Sequence, residues 1–203
     1  MVELLVKDNV LYEAILTAVY EDKPYAAPVG FIKRGNEVEV KVYKGSFLSK
    51  VTLACSTVVL NITHKPELFV KTALKWEQVT PFKPEEDIVI KGKLPILVGS
   101  LGYIVLEKVS TEDFGDHVII KYVVKDVEVS SVTLIEPYTR CYSSLIEMLI
   151  YVTKVKGIKT REKKALYIDK AREFLEVINK TCNEEYRGIA ERLQVLMAKW
   201  LGE

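Results

Sequence analysis

YEAILTAVYEDKPYAAPVGFIKRGNEVEVKVYKGSFLSKVTLACSTVVLNIT, Tyr12 to Thr63, is the stretch whose reading decides the fold. Glu13 to Val19 is apolar and β-branched enough for a strand. Glu21-Asp22-Lys23-Pro24 is polar and carries a proline that cannot donate to a ladder, which makes it a turn. The chain resumes as a strand from Tyr25 to Lys33, reverses at Gly35-Asn36 and returns as Glu37 to Tyr43. There Val38, Val40 and Val42 alternate with charge, the period-two pattern of a strand with one buried face. A Lys44-Gly45-Ser46 turn leads into a short helical turn, and a fourth strand ends at Asn61.

Two features inside this frame bear on function. Ala26-Ala27-Pro28-Val29-Gly30 puts small residues, a proline and a glycine in the middle of a strand. Such a segment marks either a bulged edge strand or a place where a flat ligand lies close to bare backbone. In Lys44-Gly45-Ser46-Phe47-Leu48-Ser49-Lys50, Ser46 is a good N-cap, so free backbone N–H groups, a hydroxyl and two lysines converge as they do around an anion. A solvated corner has the same composition, and the short motif does not choose between the two.

The remaining composition narrows the classes. Lys and Arg number 29 against 28 Asp and Glu, a net charge of +1 that gives no electrostatic case for nucleic acid, although Tyr25, Phe31 and Tyr43 are rings on which bases stack. The first ten residues, interrupted by Glu3, Lys7 and Asp8, do not read as a signal peptide. No apolar run approaches the roughly 20 residues that span a bilayer, so a cytoplasmic protein is expected. Cys55, Cys141 and Cys182 are odd in number and far apart, which predicts free thiols in a reducing setting. With only His64 and His117, and no Cys-x-x-Cys, a metal site is not expected. There is no Gly-x-Ser-x-Gly and no glycine-rich dinucleotide or phosphate loop. Glu13, His64, Tyr103 and Arg140 are conceivable acids or bases, and no spacing singles one out.

Beyond Thr63, Pro66 to Trp76 reads as a helix that stops one end of a barrel. Val79 to Pro95 is a proline-bearing connection with one short strand at Ile88 to Lys91. Ile96 to Lys108 and Val118 to Val129 predict a long hairpin joined by the turn-rich Ser110 to Asp116, with Gly99 and Gly102 at bends. The total is about six mostly antiparallel strands, a Greek-key barrel within an α+β chain. Tyr138 to Lys154, with Thr139 as cap, and Arg161 to Lys180 carry apolar residues at helical spacing, and a third helix opens at Asn183-Glu184-Glu185. The expected division is a barrel domain over 1–135 and a helical extension over 136–203.

EAILTA, PYAAPVGF, KVYKGSFLSKV and VVLNITHKPELFVKTAL, followed by Glu136-Pro137-Tyr138-Thr139-Arg140 and Tyr151-Val152-Thr153-Lys154, together resemble the mainly archaeal family called domain of unknown function 447, of the FMN-binding split-barrel group. The resemblance implies a homodimer of antiparallel split barrels with FMN near the interface. It places Ala27, Pro28, Val29 and Gly30 near the isoalloxazine and Gly45 and Ser46 near the phosphate. Asn61 and Thr63 stand at the end of the fourth strand, and Lys44 and Arg140 join the cofactor set. Leu48 and Val51 depart from it, standing where the family has Thr and Asn, so Ser49 and Lys50 are expected to supply the hydroxyl and the charge. Lys33, Arg34 and Arg140 are the next phosphate candidates. The implied function is a flavoprotein passing hydride or electrons to a small-molecule or protein partner, with the cofactor doing the chemistry. The alternative is a non-catalytic module that stores or carries flavin, deazaflavin or haem.

Overall fold

Two-residue turns set the register of the first strands. In the computed structural model, which describes residues 11–75, 77, 80–129, 140–182 and 184–202, β1 (Leu11–Tyr20) and β2 (Lys23–Arg34) pair antiparallel from Leu11 opposite Ile32 to Tyr20 opposite Lys23. Glu21 and Asp22 make the turn with φ of +50° and +61°. Gly35, at φ +59°, turns the chain into β3 (Glu37–Tyr43). Then follow α1 (Phe47–Ala54), β4 (Thr57–Ile62), α2 (Pro66–Ala73), α3 (Pro84–Asp87), β5 (Ile88–Lys91), β6 (Leu94–Leu97), β7 (Gly102–Asp113) and β8 (His117–Val129). The barrel closes in the order β1-β2-β3-β8-β7-β4, and β5 and β6 form a separate two-stranded hairpin. The architecture is the expected six-stranded antiparallel barrel with helices after it.

Period-two alternation sends Leu16, Val29, Phe31, Val40, Leu60, Leu106, Ile120 and Tyr122 into the barrel, each 4 % exposed or less. Burial of such side chains is worth about 1.5–3 kcal/mol apiece, so the interior holds the sheet closed without a ligand. The opposite faces of β1 and β4 are covered too: Ile15, Thr17, Val59 and Asn61 point outward and are fully buried. Asn61 explains how the covering hairpin is tied down. Its Nδ2 donates to the Ile15 carbonyl (3.0 Å) and the Thr17 hydroxyl (2.9 Å), and its Oδ1 accepts the Leu97 amide (2.8 Å). Thr17 in turn donates to the Pro95 carbonyl.

The expected long strand from Ile96 to Lys108 is two strands. β6 ends at Leu97 and pairs with β5, Gly99 turns the chain at φ +82°, and β7 begins at Gly102. A Cβ on Gly102 would stand 2.6 Å from the Glu128 carbonyl, so the close approach of β8 requires glycine there. The turn expected over Ser110 to Asp116 is shorter, because β7 runs on to Asp113 opposite Val118, with register shifts near Val105 and Lys108 that absorb the extra residues.

The chain divides into two compact units. One holds the barrel and hairpin, and the other holds α2 with α4 (Arg140–Gly157), α5 (Arg161–Thr181) and α6 (Glu184–Gly202). The helix expected to stop the barrel therefore belongs to the helical unit, where α2 packs on α4. In that unit Leu145, Met148, Leu149, Val152 and Val155 form the buried stripe of α4 against Ala171 and Ile178 of α5 and Ile189, Leu193, Met197 and Trp200 of α6. The expected caps Thr139 and Asn183 lie outside the described residues. The free-thiol expectation is corrected: Cys141, in the first turn of α4, and Cys182, at the C-cap of α5, form a disulfide. Spacing could not show it, because the helices bring together cysteines 41 residues apart. Cys55 alone is free. No described helix is long and apolar enough to cross a membrane.

Candidate functional site

β2 presents its small residues to two different sides. Val29 belongs to the barrel core, and Ala27 shares its parity, so these two support the strand from inside at 4 % and 8 % exposure. Pro28 and Gly30 face outward, half-buried, opposite Ile15 and Glu13 of β1. The outer surface at this point is a pyrrolidine ring and a glycine beside the Ile15 and Glu13 side chains of β1.

β3 runs antiparallel beside β2, so its C-terminal end leads toward this bare segment. Gly45 turns at φ +81°, a conformation open to glycine, and delivers Ser46 to the N-cap of α1. The Ser46 hydroxyl donates to the Tyr43 carbonyl (2.7 Å) and accepts the Ser49 amide (3.1 Å). The Ser49 hydroxyl donates back to the Ser46 carbonyl (2.8 Å), and Ser49 is 4 % exposed. Ser49 is thus engaged in the cap and buried. The amides of Phe47 and Leu48 have no intrahelical acceptor, as in the first turn of any helix, and Lys50 is exposed one turn from Ser46 on the same face. Leu48 packs against the barrel core and Val51 is fully buried in it. The two departures from the family pattern therefore serve packing.

Lys44 is drawn to the other side of the corner. Its amide donates to the Asp116 carbonyl (3.0 Å), and its ammonium pairs with Asp113 (2.6 Å), which also accepts the Gly115 amide. The Lys44 hydrogen bond, followed by that of Gly115, holds the Asp113 carboxyl below its ordinary range. Both partners are well exposed, so solvent screens the pair and leaves Lys44 free to turn to a stronger anion.

The β7–β8 turn read from sequence only as a connection contributes a group of its own. Phe114 stacks on His117 at 5.2 Å and 6°, the Tyr43 ring lies 6.1 Å from His117, and His117 Nδ1 meets Asp116 Oδ1 at 2.6 Å. That hydrogen bond lowers the Asp116 pKa. The signal was the Phe-Gly-Asp-His run, which gains meaning only once β3 and β8 are paired and His117 stands opposite Tyr43. On the other flank Tyr20 and Tyr25 pack on the exposed Phe47 ring at 5.7 and 5.2 Å, and burial pushes the Tyr25 hydroxyl up to about 12.

The other expected positions are placed as follows. Asn61 is the buried clamp described above, and Thr63 is 5 % exposed. Arg34 pairs with Glu39 (3.2 Å) at the far end of β2 from the corner, next to Lys33. Tyr103 donates to Glu128, which Lys91 also holds. Arg140 opens α4 in the helical unit, and residues 136–139 before it lie outside the described residues, so the barrel geometry is silent on it. Among the described residues no group of side chains is arranged to hold a metal ion.

The fold is shared with solved structures. An FMN-bound protein of the domain of unknown function 447 family from Methanosarcina mazei superposes with a TM-score of 0.79 at 16 % identity, over 94 % of this chain and 96 % of its own. The flavin reductase HpaC complexed with NADP+ matches at 25 % identity and a TM-score of 0.51, over 66 % of this chain and 86 % of its own. An FMN-binding protein from Thermus thermophilus with bound 1-cyclohex-2-enone matches at 15 % identity and a TM-score of 0.51, over 63 % and 75 %. Among curated proteins none matches this chain. The family pattern described as protein of unknown function (DUF447) N-terminal domain matches residues 12–131, and the chain belongs to that family.

Proposed function

We propose that the protein is an FMN-binding flavoprotein, with the ring on the outer face of β2 at Pro28 and Gly30 and the phosphate at the first turn of α1. The reading is supported by the run of small residues on β2, by β3 leading antiparallel from beside β2 to the capped first turn of α1, and by the cations Lys44 and Lys50 on either side of that cap in sequence. Ala27 and Val29 support the platform from within, Gly45 shapes the turn, and the Phe47 and Leu48 amides and Lys50 receive the phosphate oxygens, joined by the Ser46 hydroxyl once it turns from the Tyr43 carbonyl. Asn61 acts at one remove by holding the β5–β6 hairpin, and Ser49 by stabilising the cap. FMN, when bound, supplies reversible hydride and electron transfer, and the protein binds it, orients it and shields one face.

Hydride or electron transfer to a small molecule or protein is the activity proposed, supported by likeness to a flavin reductase solved with NADP+. With no dinucleotide fingerprint in the chain, a nicotinamide donor would stack directly on the open ring face. Anaerobic mixing of flavin-loaded protein with NADH and NADPH tests this: bleaching of the flavin absorption is expected with one of them. The second reading is a non-catalytic carrier of flavin, deazaflavin or haem, and flavin binding without bleaching by either donor selects it.

A homodimer is part of the proposal. Val89 and Ile90 on β5, Val98, and Val124 and Val127 on β8 are each between 37 % and 52 % exposed, an apolar set that a second copy would cover. Sedimentation at micromolar concentration should give twice the 23.1 kDa chain mass.

A further inference from the structure

A cavity of about 510 Å³ lies between the C-terminal end of α1, the β1–β2 turn and the β5–β6 turn. Small-molecule sites occupy roughly 300–1,000 Å³, so the volume suits one ligand of modest size. It is separate from the flavin corner: the length of α1, about 12 Å at 1.5 Å per residue, stands between Ser46 and Cys55.

The walls combine apolar side chains, the polar Tyr20, Ser56 and Thr57, and two charges. Val59 and Pro95 are buried, and Val19 and Leu94 continue the hydrocarbon surface. Glu21 and Lys93, both exposed, bring opposite charges to the lining. Among the described residues neither makes an ion pair, and Glu21 interacts with the neighbouring Tyr20 phenol. An anion and a cation, neither in an ion pair, around one partly apolar cavity are the complement of a zwitterion with a hydrocarbon side chain. Its ammonium would meet Glu21, its carboxylate Lys93, and its side chain Val59 and Leu94.

The turn that carries Glu21 points the same way. Glu21 and Asp22 both hold positive φ, +50° and +61°, in a two-residue hairpin turn of the kind filled most readily by Asn-Gly. Backbone kept in a left-handed region at a cost in stability is characteristic of ligand clamps. The cost is retained here by the residue whose carboxylate lines the cavity.

We propose that this cavity is a second small-molecule site, taking an apolar α-amino acid or a ligand with the same pattern of charges. The test titrates the intact protein with L-leucine, and separately with 4-methylpentanoate and 3-methylbutylamine, each of which keeps the hydrocarbon and one of the charges. Saturable binding of L-leucine with a Kd near or below about 1 mM is expected, with each singly charged analogue at least about tenfold weaker. Glu21→Gln and Lys93→Ala should each weaken L-leucine about tenfold while FMN binding is unchanged. Glu21→Gly, which accepts positive φ freely, should raise Tm and still lose L-leucine. No saturable binding by about 10 mM, equal binding of the single-charge analogues, or indifference to both charge variants would overturn the proposal.

Discussion

Asn61 and Leu97 are joined by a fully buried hydrogen bond of 2.8 Å, side-chain oxygen to backbone amide, that fastens the β5–β6 hairpin to the barrel. The three groups that Asn61 serves lie on two strands, the Leu97 amide at the end of β6 and the Ile15 carbonyl and Thr17 hydroxyl on β1. Asn61→Leu keeps the volume and removes every bond. Stranding buried polar groups costs about 1–3 kcal/mol each, so a loss of about 2–4 kcal/mol is expected by denaturant unfolding, with the Leu97 amide exchanging early. Unchanged stability would mean that the hairpin is held by packing alone.

With the flavin phosphate at the capped turn, as proposed, the Lys44–Asp113 pair would compete with it for the same ammonium. Asp113→Asn should leave Tm nearly unchanged, since an exposed pair contributes little, and should tighten FMN up to about tenfold at low salt. The gain should fade as salt is raised. Weaker FMN binding in this variant would show that Asp113 shapes the corner and does not restrain Lys44.

Much of the barrel was legible because a strand with one buried face writes its orientation in every second residue, as Val38, Val40 and Val42 do. The split of Ile96–Lys108 was not, because both halves are apolar and only Gly99 in its left-handed conformation separates them. The parity of β2 was implicit in the sequence, but which of Ala27, Pro28, Val29 and Gly30 face outward requires the register with β1. Asn61 read as a strand-end site residue because its partners, Leu97 and Thr17, stand 36 and 44 positions away. The helices were legible from their apolar stripes, while the pairing of Cys141 with Cys182 depends on how those helices meet.

The disulfide closes a loop of about 41 residues in the helical unit, for which the chain-entropy model gives roughly 4 kcal/mol. Cys182→Ser, or treatment with dithiothreitol, should lower the unfolding midpoint of that unit by a corresponding amount and leave FMN binding at the barrel intact. Equal midpoints with and without reductant would show that the bond is absent in solution.

Lys75 is largely buried, and desolvation lowers its pKa from 10.5 to about 8. The folded state therefore favours the neutral amine, so the contribution of this group to stability is largest above pH 10.5 and is lost as pH falls toward 8. Lys75→Met should raise stability at pH 7 by about 1–3 kcal/mol and flatten this dependence. A dependence that survives the substitution would assign it to other groups.

The phosphate contact decides whether the capped turn is a binding site. Fluorescence titration of the apo-protein with FMN and with riboflavin, on the native chain and on Ser46→Ala with Lys50→Ala, measures it directly. Charge-assisted hydrogen bonds of roughly 1.5–3 kcal/mol each predict that the double variant weakens FMN by about two to four orders of magnitude. Riboflavin, which lacks the phosphate, should bind both forms nearly equally. Absence of flavin quenching in the native protein, or equal FMN affinity in the two forms, would contradict the account.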